Sequence, residues 1–170
     1  MAVPQMIAGP GAYILYSGPQ HTFETHEATL AALADTKYVG TDPGLAALYD
    51  LALLTGMYGM IAGAVQAFAL ARTENIPAPE FAELLLPWVG AMLGGVVPGM
   101  AQALESGEHL TDVSSLAINQ AAFPNLLNTF RDQGISGELF EPVQRLLDRS
   151  IAEGYAADGL SRLVELLKQG

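Results

Sequence analysis

From Leu45 to Ala71 the chain carries a single charge, Asp50, and no proline. A β-strand is over within about ten residues, so an unbroken apolar run of this length is a helix. A helix that is apolar all round needs cover on every side, from protein or from lipid. The run is long enough to span a bilayer, and Gly59 and Gly63 stand at small-xxx-small spacing. Against lipid, Asp50, Thr55, Tyr58 and Gln66 interrupt it, alanine and glycine dominate it, and no basic cluster flanks it. The soluble reading is therefore preferred. Four or five further helices from a chain of 170 residues cannot wrap so long a helix. A second copy is the natural cover, which predicts an obligate homodimer built through this helix.

Turn residues divide the rest of the chain. Ala12 to Tyr16 is a short β-prone run between Gly11 and Ser17-Gly18-Pro19. Thr22 to Ala34 places Phe23, Leu30 and Leu33 at helical spacing, and Tyr38-Val39 forms a second short strand before Gly40. This β-α-β unit is too small to be a domain and reads as the last piece of a parallel sheet. Everything after residue 40 reads as helix. Thr41 or Asp42 caps the first, with Pro43 at its first position and an end near Arg72. Pro79 opens the next, which reaches about Leu104 with kinks expected at Pro87 and Pro98. A third starts near Thr111 or Asp112, is interrupted at Pro124 and reaches Arg131. A fourth covers roughly 138 to 153, and a short last one follows Asp158 and ends at Gln169-Gly170. The fold class is mainly α: a helical bundle around a long central helix, preceded by a β-α-β remnant.

Charge and composition exclude several functions. A net charge of −11 leaves nothing to neutralise a row of phosphates, so nucleic acid is not a partner. An anionic membrane surface is disfavoured for the same reason. The absence of cysteine removes disulfides, thiolate metal sites and cysteine nucleophiles. The first six residues lack a basic start and a long apolar stretch, so no signal peptide is expected. His21, His26 and His109 have no metal-ligand spacing, the first two reading as solvated, and no metal site is expected. Gly9-Pro10-Gly11 precedes a strand and Gly94-Gly95 lies within a helix, so neither is a dinucleotide fingerprint.

Asp50 is the residue most suggestive of chemistry. Burial of a lone carboxyl in an apolar helix would make it a proton donor, and the competing reading is a carboxylate settled by the helix N-terminus. Tyr58 follows eight residues on, which is about 12 Å along the axis and ~80° around it, so both can line one wall. A buried tyrosine is more often only hydrogen-bonded than catalytic. Trp88 is a pocket wall or core, and Met57 and Met60 are gap-fillers as readily as ligand contacts.

Three segments resemble imine reductases, including the fungal-type reductive aminases of the β-hydroxyacid dehydrogenase superfamily. They are Met1-Ala2-Val3-Pro4-Gln5-Met6-Ile7, Ile14-Leu15-Tyr16-Ser17-Gly18, and the stretch from Asp42-Pro43-Gly44 through Tyr49-Asp50 to Leu53-Leu54. Gly56-Met57-Tyr58-Gly59 and Pro87-Trp88 resemble the reductive-aminase branch. The resemblance covers essentially the whole chain and is most specific over residues 42 to 60. It implies that residues 1–40 are the tail end of a Rossmann-type domain and residues 41–170 a helical substrate-binding and dimerisation domain. It implies a domain-swapped, cytoplasmic dimer that passes hydride from NADPH to an imine or iminium, formed in some members from a ketone and an amine. Asp50 matches the catalytic aspartate, Tyr58 the active-site tyrosine and Trp88 a substrate-pocket aromatic. Met57 adjoins that tyrosine, while Ile118 and Asn119 stand where relatives often carry methionine and glutamine. All four are the expected substrate contacts. The glycine-rich strand-turn-helix that grips a pyrophosphate is absent, so the chain is expected to be a fragment, inactive alone and without bound NADPH. The alternative is a non-enzymatic helical homodimerisation module.

Overall fold

The computed structural model describes residues 9–168. The Met1–Ile7 part of the resemblance and the helix end expected at Gln169-Gly170 lie outside the described residues. Two strands and six helices follow in the order β1 (Tyr13–Ser17), α1 (Gln20–Leu30), β2 (Asp35–Gly40), α2 (Leu45–Thr73), α3 (Ala78–Ser106), α4 (Leu116–Asp132), α5 (Glu141–Ala152) and α6 (Arg162–Leu166). The chain is mainly helical, as its periodicity predicts, and it groups into two compact units that divide between Ile61 and Ala62.

In the first unit β1 and β2 pair in parallel, from Tyr13 opposite Asp35 to Tyr16 opposite Tyr38, with an irregularity that sets Ser17 opposite Gly40. Parallel pairing needs a crossover, and α1 supplies it. Phe23 of α1 seats its ring 5.7 Å from Tyr16 and 5.2 Å from Tyr38. The Tyr38 hydroxyl donates to the Gly18 carbonyl at 2.7 Å. These contacts fix the β-α-β unit read from the sequence.

The start of α2 departs from expectation. Asp42 and Pro43 form a turn before the helix rather than its cap and first residue. The Asp42 carboxylate accepts from the Gly44 amide at 2.7 Å, and an aspartate closed on its own backbone in this way holds a turn open against helix. A residue before proline is also biased away from helical angles. From Leu45 the helix then runs unbroken to Thr73, and Asn75, at φ 56°, turns the chain out of it.

In the second unit α3 passes through both Pro87 and Pro98 as one helix and stops at Gly107, which takes φ 72°. α4 starts at Leu116, later than Thr111 or Asp112, with Ser115 as its cap. The preceding backbone is engaged elsewhere: the Thr111, Leu116 and Ala117 amides donate to Ala157, Asp158 and Ala156 carbonyls at 3.3, 2.7 and 3.0 Å. Competition from that loop delays the helix. Pro124 does not interrupt it. α4 packs on α5, and Leu116, Phe130, Leu147 and Ser150 form the buried centre of this unit.

The two long helices are a different matter. Of its residues α2 buries only Gln66 and Ala71, and α3 buries none. Phe68 and Phe81 meet edge to face at 5.2 Å beside the connecting turn, but α2 and α3 share no packed face beyond it. Both are long and apolar enough to cross a membrane. Among the described residues these two helices bury only Gln66 and Ala71 between them.

Candidate functional site

Asp50 lies in the second turn of α2 and is half-buried. Its side chain makes no hydrogen bond or ion pair among the described residues. The expectation of a carboxyl enclosed in apolar surroundings is corrected to this extent: within this chain its helix is open, and solvent reaches it. Tyr58, two turns on, is 63 % exposed, and its hydroxyl is likewise without a partner among the described residues. Because α2 is regular throughout, the two groups keep the helical offset of about 12 Å along the axis. Met57 is partly exposed beside Tyr58. A carboxylate and a phenol thus stand on one apolar surface, both free to act on something brought to it. A carboxylate there can hold a cation or give up a proton, and a hydroxyl can orient a nitrogen.

The start of α2 shows how that surface is held. The Ser17 hydroxyl, at the end of β1, donates to the Pro43 carbonyl at 2.9 Å and accepts from the Ala46 amide at 3.1 Å. Gly40, at φ 136°, closes β2 so tightly that a Cβ there would lie 2.7 Å from the Leu45 side chain. Both the left-handed backbone angle and the close approach call for glycine. From the sequence, Ser17 is legible as the end of a strand and as part of the Ile14–Gly18 resemblance, not as a partner of α2. A hydroxyl bonding across more than twenty residues leaves no local signal.

The remaining expected contacts belong to the second unit. Trp88 on α3 is 63 % exposed and Ile118 on α4 is 56 % exposed. The Asn119 amide is already engaged, donating to the Ser114 hydroxyl at 3.0 Å and the Ser115 carbonyl at 2.8 Å. It therefore steadies the first turn of α4. α3 and α4 share no packed face, so this unit does not gather the three residues into one pocket. His21 and His26 are exposed. His109 is buried, its Nδ1 2.9 Å from the Ser161 hydroxyl, where it ties the loop after α3 to the segment before α6.

A dinucleotide needs a glycine-rich turn from strand into helix. Of the two strand-to-helix turns described here, Ser17-Gly18-Pro19 from β1 into α1 has one glycine and no side-chain cap, and Gly40-Thr41-Asp42-Pro43-Gly44 from β2 into α2 has glycines only at its ends, its Gly44 amide already taken by the Asp42 carboxylate. The described residues do not fit a pyrophosphate grip.

Comparison with known proteins gives this surface a context. Residues 42–169 match the family model described as "NADPH-dependent reductive aminase-like, C-terminal domain". The chain is 37% identical to an NADPH-dependent reductive aminase of Aspergillus oryzae, over 100% of the chain and 59% of that protein. It superposes with a TM-score of 0.91 and 40% identity on a reductive aminase from Aspergillus terreus solved with NADPH and ethyl-5-oxohexanoate, covering 99% of this chain and 59% of that one. An imine reductase from Myxococcus stipitatus solved with NADP+ gives a TM-score of 0.90 at 29% identity, covering 99% and 62%. The chain therefore spans about three-fifths of the length of the relatives it matches.

Proposed function

This chain belongs to the NADPH-dependent reductive aminase-like family, and from that premise we propose that it is the helical, substrate-facing half of a cytoplasmic enzyme reducing imines or iminium ions to amines. Residues 41–170 form the substrate-binding and dimerisation domain, and residues 1–40 complete a Rossmann-type domain whose remainder is outside this sequence. The observation that carries the reading is the pair of polar groups Asp50 and Tyr58, without partners among the described residues, on a largely apolar stretch of α2 where neither is buried. NADPH would be held by that other domain and, when bound there, would be the source of hydride for the imine carbon.

What this chain contributes is the nitrogen end of the reaction. A carboxylate at Asp50 attracts the cationic nitrogen of an iminium, and in its protonated form it can deliver the proton a neutral imine needs. The Tyr58 hydroxyl orients the same nitrogen, holding the double bond where hydride arrives. Met57, Trp88 and Ile118 form apolar walls, and Asn119 stands behind them at the start of α4. A second copy, swapped so that the helical half of one subunit faces the cofactor domain of the other, covers α2 and α3 and completes each site.

The experiment is to supply an NADPH-binding Rossmann half in trans and to follow NADPH consumption with a cyclic imine. The chain alone should be inactive and should not bind NADPH. The mixture should turn over, and Asp50→Asn should lower the rate by about 100-fold or more, the scale of a lost acid–base group. Saturable micromolar NADPH binding by the chain alone, or a mixture indifferent to Asp50→Asn, would reject this assignment. A mixture that forms a dimer yet never turns over would favour the non-enzymatic dimerisation module instead.

A further inference from the structure

We infer that Ser17 is a positioning residue for Asp50: its hydroxyl clamps the first turn of α2 to the end of β1 and so sets where the Asp50 carboxylate stands. The first amides of a helix have no partner within it and are satisfied from outside. In most helices the residue just before the first turn supplies the oxygen. Here the Asp42 carboxylate is spent on the Gly44 amide at 2.7 Å, inside the turn before the helix. The Ala46 amide is met instead by Ser17, from a different element, at 3.1 Å. The same hydroxyl donates its proton to the Pro43 carbonyl at 2.9 Å, so it grips the entry to the helix on both sides of Gly44 and Leu45. One oxygen acting as donor and acceptor in this way fixes direction as well as distance.

The backbone around Ser17 is itself held. The Gly18 amide donates to the Gly40 carbonyl at 3.0 Å, and the Tyr38 hydroxyl donates to the Gly18 carbonyl at 2.7 Å. β1, β2 and the start of α2 thus meet at a single knot. Asp50 follows Ala46 by four residues, about 6 Å up the helix and ~40° around it, so it stands nearly above the clamp. A tilt or register change at Ala46 is passed directly to Asp50 through that one intervening turn. The ends of parallel strands are where ligands of α/β sheets sit, and the clamp aims the carboxylate from that end of β1.

The inference rests on the proposed role of Asp50, but its test needs no turnover. The experiment is amide hydrogen exchange at Ala46 and the carboxyl ¹³C chemical shift of Asp50, measured by NMR on the full chain and on Ser17→Ala, Ser17→Thr and Tyr38→Phe. Losing a helix cap should speed exchange at Ala46 by about fivefold to tenfold in Ser17→Ala, with a displaced Asp50 signal. Ser17→Thr keeps the hydroxyl and should restore both. Tyr38→Phe removes a neighbouring hydroxyl bond of the same unit and should leave both near their original values. Unchanged exchange at Ala46 in Ser17→Ala, no rescue by threonine, or an equal effect from Tyr38→Phe would overturn the inference. If Ser17→Ala does not fold, Ser17→Cys, which keeps the volume but puts a weakly bonding thiol in place of the hydroxyl, should show the faster exchange at Ala46, and unchanged exchange there would overturn the inference. A failure of the Asp50→Asn test with these results intact would reject the catalytic reading while leaving the clamp in place.

Discussion

Asp148 shows what a single side chain does between two helices of the second unit. It accepts from Gln120 and from Gln144, each at 2.8 Å, and these bonds, Gln120's first, hold its carboxyl below its ordinary value against a small opposing effect of burial. A carboxyl with a lowered folded-state pKa adds stability above its ordinary value of 3.8 and loses it as pH falls through the lowered one. Asp148 is exposed, so the effect is small, at most about 1 kcal/mol. Asp148→Asn should lower the urea midpoint slightly at neutral pH and soften the loss of stability in acid. Identical acid limbs for the two proteins would mean that the bonds are not made in solution. At this scale the sequence was legible wherever a residue was conspicuous by itself. Asp50 is the one charge between Leu45 and Ala71 and could be picked out at sight. Ser17 and His109 could not, because their partners lie at Ala46 and Ser161, and only the folded chain brings them close.

Elements were readable where composition alone determines them, and less so at their ends. Both strands, the crossover helix and both long helices follow from hydrophobic runs and turn residues. The starts of α2 and α4 were set too early, because a cap must compete with other demands on the same backbone. Asp42 closes its own turn, and residues 111–117 bond to the segment 156–158. Pro124 failed to interrupt α4, since a helix loses only one hydrogen bond at a proline and can bend around it. The α4–α5 pair carries the centre of its unit, and Leu147 is 1 % exposed within it. Leu147→Ala should cost about 2–5 kcal/mol, a cavity-forming loss readable as a lowered urea midpoint. Gly107 ends α3 at φ 72° with open space around it. Gly107→Ala should therefore cost only about 1 kcal/mol, the conformational penalty without a clash.

At the scale of the whole molecule, the demand for cover was evident before any coordinates. The structure sharpens it by showing two uncovered helices where the sequence singled out one. Leu84, Leu86 and Trp88 on α3 are 71%, 78% and 63% exposed, an arrangement that a lone soluble chain does not sustain. Sedimentation equilibrium should show a dimer without detergent, and Leu93→Glu with Val97→Glu should yield monomer or precipitate. A chain that stays monomeric in buffer, or that enters detergent micelles quantitatively, would speak for a different cover. The expected substrate contacts were the least legible feature, because Met57 falls in the first unit and Trp88, Ile118 and Asn119 in the second.

The two-stranded sheet has a practical meaning of its own. Among the described residues, the parallel strands β1 and β2 each have one neighbour, so each presents an outer row of amides and carbonyls ready to pair. A polypeptide with such a seam is one side of a fastening, open to whatever extended strand is brought beside it. The same seam makes the chain prone to zip onto any extended strand left unpaired, so concentrating it invites edge-to-edge assembly.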